Sequence, residues 1–155
     1  FGNTFSYNGF SLNVLFQFSY GNDIMNDFNR SRDNMKEARN TSTRTLRAWR
    51  NEGDVTDVPM IRYSDPMDNY RVSDLHVEDG SYLRLKDVTL SYTWKPKRAI
   101  KQLRVSFTAT NLLTWTKYTG YDPEVNSSSS PFVMGVDKGA YPKARSFNFG
   151  LEATF

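Results

Sequence analysis

The sequence predicts an all-β chain of about five antiparallel strands, taken from the C-terminal end of a transmembrane β-barrel, with a short helical insertion in a long extracellular loop. Three observations carry that prediction. Apolar and polar residues alternate with period two over several stretches, the connections between those stretches alternate short and long, and the composition favours aromatics over aliphatics. Eleven Phe, nine Tyr and three Trp bring aromatics to 15% although hydrophobic residues reach only 38% of the 155. A small water-soluble core leans on Leu, Ile and Val, whereas a membrane strand shows aromatics to one side and small polar groups to the other.

The clearest alternation closes the chain. Phe147, Phe149, Leu151, Ala153 and Phe155 interleave with Ser146, Asn148, Gly150, Glu152 and Thr154, which puts the apolar side chains on one face of a strand over 143–155. Near the start, Phe10, Leu12, Val14, Phe16, Phe18 and Tyr20 do the same over 10–20, with Leu15 alone out of phase. The preceding strand, 1–7, carries Phe5 and Tyr7. Asn8-Gly9 joins the two, and this pair is a strong hairpin signal because both turn positions want positive φ.

Two more strands lie in the middle. Over 81–95 the apolar phase runs through Val88, Leu90, Tyr92 and Trp94, but Leu83 and Leu85 sit in the opposite phase, so a bulge is expected near Lys86-Asp87. Over 103–115 the phase runs through Leu103, Val105, Phe107, Ala109, Leu113 and Trp115. The connections at 8–9 and 96–102 are short; those at 21–80 and 116–142 are long. Outer-membrane barrels place short turns on the periplasmic side and long loops outside. Tyr20, Tyr82, Trp94, Trp115 and Tyr118 near strand ends are expected to form interfacial girdles. Lipid-facing positions are accordingly Phe10, Leu12, Val14, Phe16, Phe18, Val88, Leu90, Tyr92, Val105, Phe107, Phe147, Phe149 and Leu151.

Mean hydropathy is −0.64 and no apolar run approaches the ~18 residues of a membrane helix. With no Cys, disulfides and thiolate metal sites are excluded. The chain begins inside an alternating pattern, so it reads as a piece whose amino-terminal part lies elsewhere. Within the first long loop, 26–50 has helix-compatible composition, with Met35, Ala38, Leu46 and Trp49 as anchors and Thr41-Ser42-Thr43 as a break between two helices. Basic residues dominate 30–52 and acidic ones 53–80, halves expected to pair with each other.

Chemistry is sparse. His76 is the single histidine, which rules out a multi-histidine metal site and is read as a surface or loop residue. Asp65, Asp68, Asp74, Glu78 and Asp79 lack the spacing of a calcium loop, and Asp122-Pro123-Glu124 reads as a turn with Asp122 accepting backbone amides. Lys95, Lys97, Arg98, Lys101 and Arg104 suit phospholipid head groups better than nucleic acid, because no stacking platform accompanies them. Trp49, Tyr118 and Tyr121 are the candidate ligand contacts, as flat side chains that can stack on sugars or hold peptides; loop-against-loop packing is the competing role. No catalytic residue, metal or cofactor is expected. The alternative class is a soluble all-β carbohydrate-binding or adhesin-type module, and an enzyme domain is disfavoured by the lone histidine.

Several stretches in order resemble the SusC/RagA family of TonB-dependent outer-membrane transporters of Bacteroidota. They are Gly9-Phe10-Ser11-Leu12, Ser19-Tyr20-Gly21-Asn22-Asp23, Trp49 with Glu52-Gly53-Asp54, and Val77 through Tyr92. Thr110-Asn111-Leu112-Leu113-Thr114, Thr116 through Val125, Gly135-Val136-Asp137 and Tyr141 through Phe147 follow. The resemblance implies a plugged barrel of about 22 strands of which this chain supplies the last few, importing oligosaccharides or peptides beneath a SusD-like surface lipoprotein. It implies energy from the TonB complex through an amino-terminal region absent from this sequence, and a terminal strand ending on Phe155 that resembles the signal read by barrel-assembly machinery. Five strands cannot close, so the isolated chain is expected to dimerise through an open edge or its aromatic face.

Overall fold

A computed structural model describes residues 1–34, 36, 38, 40–96, 100–124, 127 and 134–155. Met35, Lys97 and Arg98, singled out in the sequence, lie outside the described residues. In chain order the elements are β1 (Gly2–Tyr7), β2 (Phe10–Ser19), β3 (Asp23–Asn26), helix α1 (Asp27–Arg32), β4 (Val77–Asp79), β5 (Tyr82–Trp94), β6 (Gln102–Thr116), β7 (Val136–Asp137) and β8 (Ser146–Thr154). Two short 3₁₀ turns, Thr43–Arg47 and Asp74–His76, lie between α1 and β4. These form two compact units. One comprises Phe1–Asn22, Gly80–Lys117 and Pro142–Phe155; the other comprises Asp23–Asp79 and Tyr118–Tyr141.

The first unit is a five-stranded sheet in the order β1-β2-β5-β6-β8, antiparallel at every pairing. Its hairpin turns at Asn8 (φ 46) and Gly9 (φ 86), both in the left-handed region, and Tyr7 faces Phe10 across it. A Cβ on Gly9 would lie 2.8 Å from the Thr93 carbonyl, so glycine serves both the turn and the close approach of β5. Residues opposite each other in antiparallel strands share a face, and the register therefore writes the two faces out row by row. One row is Phe5, Leu12, Leu90, Phe107 and Phe149; its neighbours are Tyr7, Phe10, Tyr92, Val105 and Leu151, and Asn3, Val14, Val88, Ala109 and Phe147. On the opposite face run Ser6, Ser11, Ser91, Ser106 and Gly150, and then Thr4, Asn13, Thr89, Thr108 and Asn148.

The phase conflict in β5 is resolved by a bulge. Leu15 pairs Asp87 and Phe16 pairs Leu85, leaving Lys86 as the extra residue. That residue flips the phase, so Leu83 and Leu85 join Phe18 and Phe16 on the apolar face. Lys86 is released toward the polar side, where its Nζ donates to Gln17 Oε1. On β6 the register slips at the same level, between Leu113 and Thr110. Asn111 there adopts φ 52 and donates its side-chain amide to the Ala144 carbonyl at 3.0 Å. Asparagine tolerates this conformation better than other side chains, which gives the Thr110–Thr114 motif a structural reason.

The second unit centres on a small sheet, β4-β3-β7, antiparallel between β3 and β4 and parallel between β3 and β7. Its segments are two to four residues long, too short to show periodicity, and nothing in the sequence predicted them. Helix α1 follows β3 directly, capped by Asn26, whose Oδ1 accepts the Asn29 N–H at 2.9 Å. The helical content expected over 26–50 is thus shorter than the composition suggested: one six-residue helix and a five-residue 3₁₀ turn. Leu46, expected as an anchor, is exposed, while Thr45 and Ala48 are buried in its place. Charge pairing between the halves occurs through Asp57, which meets Arg44 at 3.0 Å and Arg47 at 3.7 Å. Among the described residues no helix is long and apolar enough to cross a membrane.

Candidate functional site

Two features organise the chemistry, one in each unit. In the sheet unit it is the contrast between faces. All the positions expected to face lipid lie on the single apolar face defined by the register. Many remain open: Phe149 is 82% and Leu151 74% exposed, and Phe10, Phe18, Leu90 and Trp115 are exposed as well. Aromatic contacts run along the rows, with Phe10 and Tyr92 at 4.5 Å and Phe107 and Phe149 at 4.9 Å between ring centroids. The polar face is tied across strands instead. Thr89 and Thr108 hydroxyls lie 2.9 Å apart and those of Thr110 and Ser146 2.6 Å apart, while Thr4 donates to Asn13. An apolar face left open and a polar face internally bonded is the reverse of a water-soluble sheet.

Of the expected girdle aromatics, Tyr20, Trp94 and Trp115 are exposed, but Tyr82 and Tyr118 are buried. Tyr82 pairs with Ser19 and Thr116 on the polar face, and its hydroxyl accepts from Gln17 Nε2 at 3.0 Å. The phase shift at Lys86 is what takes it there.

In the loop unit, the organising feature is a knot of buried polar groups. Asn26 and Asp137 are both 0% exposed. Asn26 Nδ2 donates to Glu78 Oε1 at 2.8 Å, and Glu78 also accepts the Thr119 amide and hydroxyl, each at 2.8 Å. Asn29 reaches the same Thr119 hydroxyl at 3.0 Å. Asp137 accepts the Tyr118 hydroxyl at 2.7 Å on one oxygen and the Gly139 and Ala140 amides at 2.8 and 3.2 Å on the other. Asp122 accepts the Glu124 amide at 2.9 Å, the turn expected of it. Buried acceptors with this many donors are strongly held. Parts of three stretches distant in the sequence, 77–79, 118–119 and 136–137, meet here.

Of the candidate ligand contacts, Tyr118 is thus enclosed, 6% exposed; burial first, and the Asp137 carboxylate second, raise its phenol well above the ordinary value and keep it protonated. Tyr121 is 59% exposed, its ring tilted against Phe28 at 5.3 Å. Trp49 is half-buried, and its backbone N–H donates to the Val58 carbonyl at 2.9 Å. His76 is not at the surface: it is 5% exposed, and its Nδ1 is buried without a hydrogen-bond partner. Burial, assisted by nearby Arg44 and Arg30 and opposed by Asp33 and Glu78, lowers its pKa below 6.5. The acidic residues of 65–79 do not gather: among the described residues no cluster of His, Asp and Glu could hold a metal ion. Asp65 instead accepts the Asn69 and Tyr70 amides, both at 2.8 Å.

No protein-family model matches the chain. TonB-dependent receptor P3 of Formosa agariphila is 32% identical over 164 residues, an alignment covering all of this chain and 16% of that protein. TonB-dependent receptor SusC of Bacteroides thetaiotaomicron is 36% identical over 90 residues, 54% of this chain and 8% of SusC. The structure of the RagAB peptide importer in the closed-closed state superposes with a TM-score of 0.79 at 29% identity, over 97% of this chain and 16% of that one. Over its whole length the chain is similar to TonB-dependent receptors of the SusC/RagA kind. The structure of the RagAB peptide transporter gives a TM-score of 0.76 at 30% identity with the same coverage, so sequence and fold point to one family. The chain spans 16% of the length of the receptor P3 and RagAB chains it matches. For this receptor family, the five-stranded open sheet is a stretch of barrel wall.

Proposed function

We propose that the chain is the wall and surface-loop portion, at the C-terminal end, of an outer-membrane importer energised by TonB. The observation that carries this reading is the continuous apolar face, row after row from β1 to β8, beside a polar face bonded to itself. In a bilayer the open Phe and Leu side chains meet acyl chains, and every backbone group within the hydrocarbon finds a partner on the adjacent strand. The residues named above as lipid-facing then line the outside, and the Ser, Thr and Asn rows line the lumen. The part played is structural and permeation-related rather than catalytic.

The relatives' names support coupling to TonB and import of peptide; a SusD-like surface lipoprotein, an oligosaccharide cargo and a TonB-contacting region outside this sequence are what the family resemblance implies. The long connections, 21–80 and 116–142, face the cell exterior in this reading, and Tyr121 and Trp49 are the loop aromatics placed to touch cargo. Phe155 ends the strand that barrel-assembly machinery engages.

Single cysteines test the orientation in the full-length protein made otherwise cysteine-free and reconstituted in lipid. A polarity-sensitive label at Leu90→Cys or Phe149→Cys is expected to be quenched by spin-labelled acyl chains. At Thr89→Cys or Asn148→Cys it is expected to react with water-soluble reagents and escape that quenching. Equal quenching on both faces would sink the proposal.

A further inference from the structure

The loop unit contains a small cleft whose lining is out of electrostatic balance. It encloses about 30 Å³, room for one or two waters or for a single planar head of three heavy atoms. Its lining includes the acids Asp33 and Asp65 and the cations Arg30, Lys36, Arg44 and Arg62. The acids are already committed. Asp33 accepts from Arg44 at 3.1 Å and from Ser42, and both oxygens of Asp65 hold backbone amides. Two of the cations are committed as well: Arg30 to Asp27 at 2.6 Å and the Tyr70 carbonyl at 2.8 Å, Arg44 to Asp33 and to Asp57 at 3.0 Å.

What remains is donor capacity. Among the described residues, neither Lys36 nor Arg62 makes an ion pair; Arg62 donates only its Nε, to the Met60 sulfur at 2.9 Å. His76 also lines the cleft, nine-tenths buried, with Nδ1 unpartnered. Cations without a counter-charge, in a lining with surplus positive charge, mark a place for an acceptor. A carboxylate satisfies both cations at once. It is planar and small enough, its two oxygens accept several donors, and its charge is opposite to the lining's.

We propose that this cleft binds a carboxylate group, with Lys36 and Arg62 supplying the charge on the exposed side and the buried His76 ring forming part of the wall. The volume admits the head group alone, so the remainder of the ligand extends outward from the cleft. A peptide C-terminus and a sugar acid present the same head. The site is a binding site whether or not the whole protein transports the ligand.

Calorimetric titration of the full-length receptor in detergent separates these sources. The probes are a short uncharged peptide with a free C-terminus, the same peptide amidated, glucuronate, and glucose. Binding of the free peptide acid, of glucuronate, or of both is expected, with the amide and glucose failing to compete; whichever acid binds tighter names the source. The double variant Lys36→Gln/Arg62→Gln alters only exposed side chains, so it keeps the fold, and it is expected to weaken acid binding at least about tenfold. Three results overturn the proposal: no acid binds, the neutral forms bind as well as the acids, or the double variant binds like the parent.

Discussion

The sheet unit and the loop unit solve the same problem, burying the backbone, with opposite chemistry. The sheet bonds its backbone strand to strand and leaves a face of Phe, Leu and Val uncovered. The loop unit has short strands and few buried apolar side chains, Ile24, Ala48, Val58 and Tyr118 among them, and it encloses Asn26, Asn34, His76, Asp122 and Asp137 instead. One unit is built for a surrounding that supplies apolar contact, the other for water, where hydrogen bonds must hold irregular backbone in place. In the proposed reading, hydrophobic burial is delegated to the membrane in the sheet unit and largely replaced by polar networks in the loop unit.

Substitutions that act on one unit only break this contrast most directly. Asp137→Ala removes the acceptor of the Tyr118 hydroxyl and of two amides, and a loss of about 3 kcal/mol or more is expected in the loop unit. Hydrogen exchange on the full-length protein is expected to show protection falling in 23–79 and 118–141 while the sheet keeps its own. Equal loss in both units would show that they do not stand on separate interactions. Leu90→Arg attacks the other side of the comparison. In the central apolar row it should cost about 2–4 kcal/mol of folding stability in lipid vesicles, whereas Thr89→Arg, one residue away on the polar face, should cost far less.

A smaller effect is expected at Gly120. A Cβ there would come within 2.4 Å of the enclosed Tyr118 ring, so Gly120→Ala is expected to destabilise the loop unit by about 1–3 kcal/mol, read as a lower temperature of loop-selective proteolysis. The pH response is the subtlest. Burial lowers the His76 pKa below its ordinary 6.5, so the unfolded state takes up a proton first as the medium acidifies. The stability from neutral His76 is fully present above pH 6.5 and is lost as pH falls through the window down to the folded value. Exchange protection of the loop unit should therefore drop between pH 7.5 and 5, and His76→Gln should remove that part of the drop. A parallel decline in both proteins would assign the effect to the carboxylates.

Much of the sheet was legible because period two leaves a direct trace. The strand ends lie within a few residues of the expected bounds, Asn8-Gly9 turns where its φ preferences require, and the conflict between Leu85 and Val88 marked a real bulge. The loop unit was nearly opaque. Its strands are too short for periodicity, and a residue such as Glu78 reads as a solvated charge until Asn26 and Thr119 are brought to it across 52 and 41 positions. The burial of His76, expected at the surface, and the enclosure of Tyr118 by Asp137 were hidden for the same reason, since burial of a polar side chain depends on partners that no local pattern announces.

By itself, then, the sequence determined the strands, their faces and the family, because alternation and motif order are local and survive without coordinates. Only the tertiary structure decided which polar groups meet. Hydrogen bonds between residues distant in the chain are selected by geometry at a scale of tenths of an ångström, and composition carries no record of it.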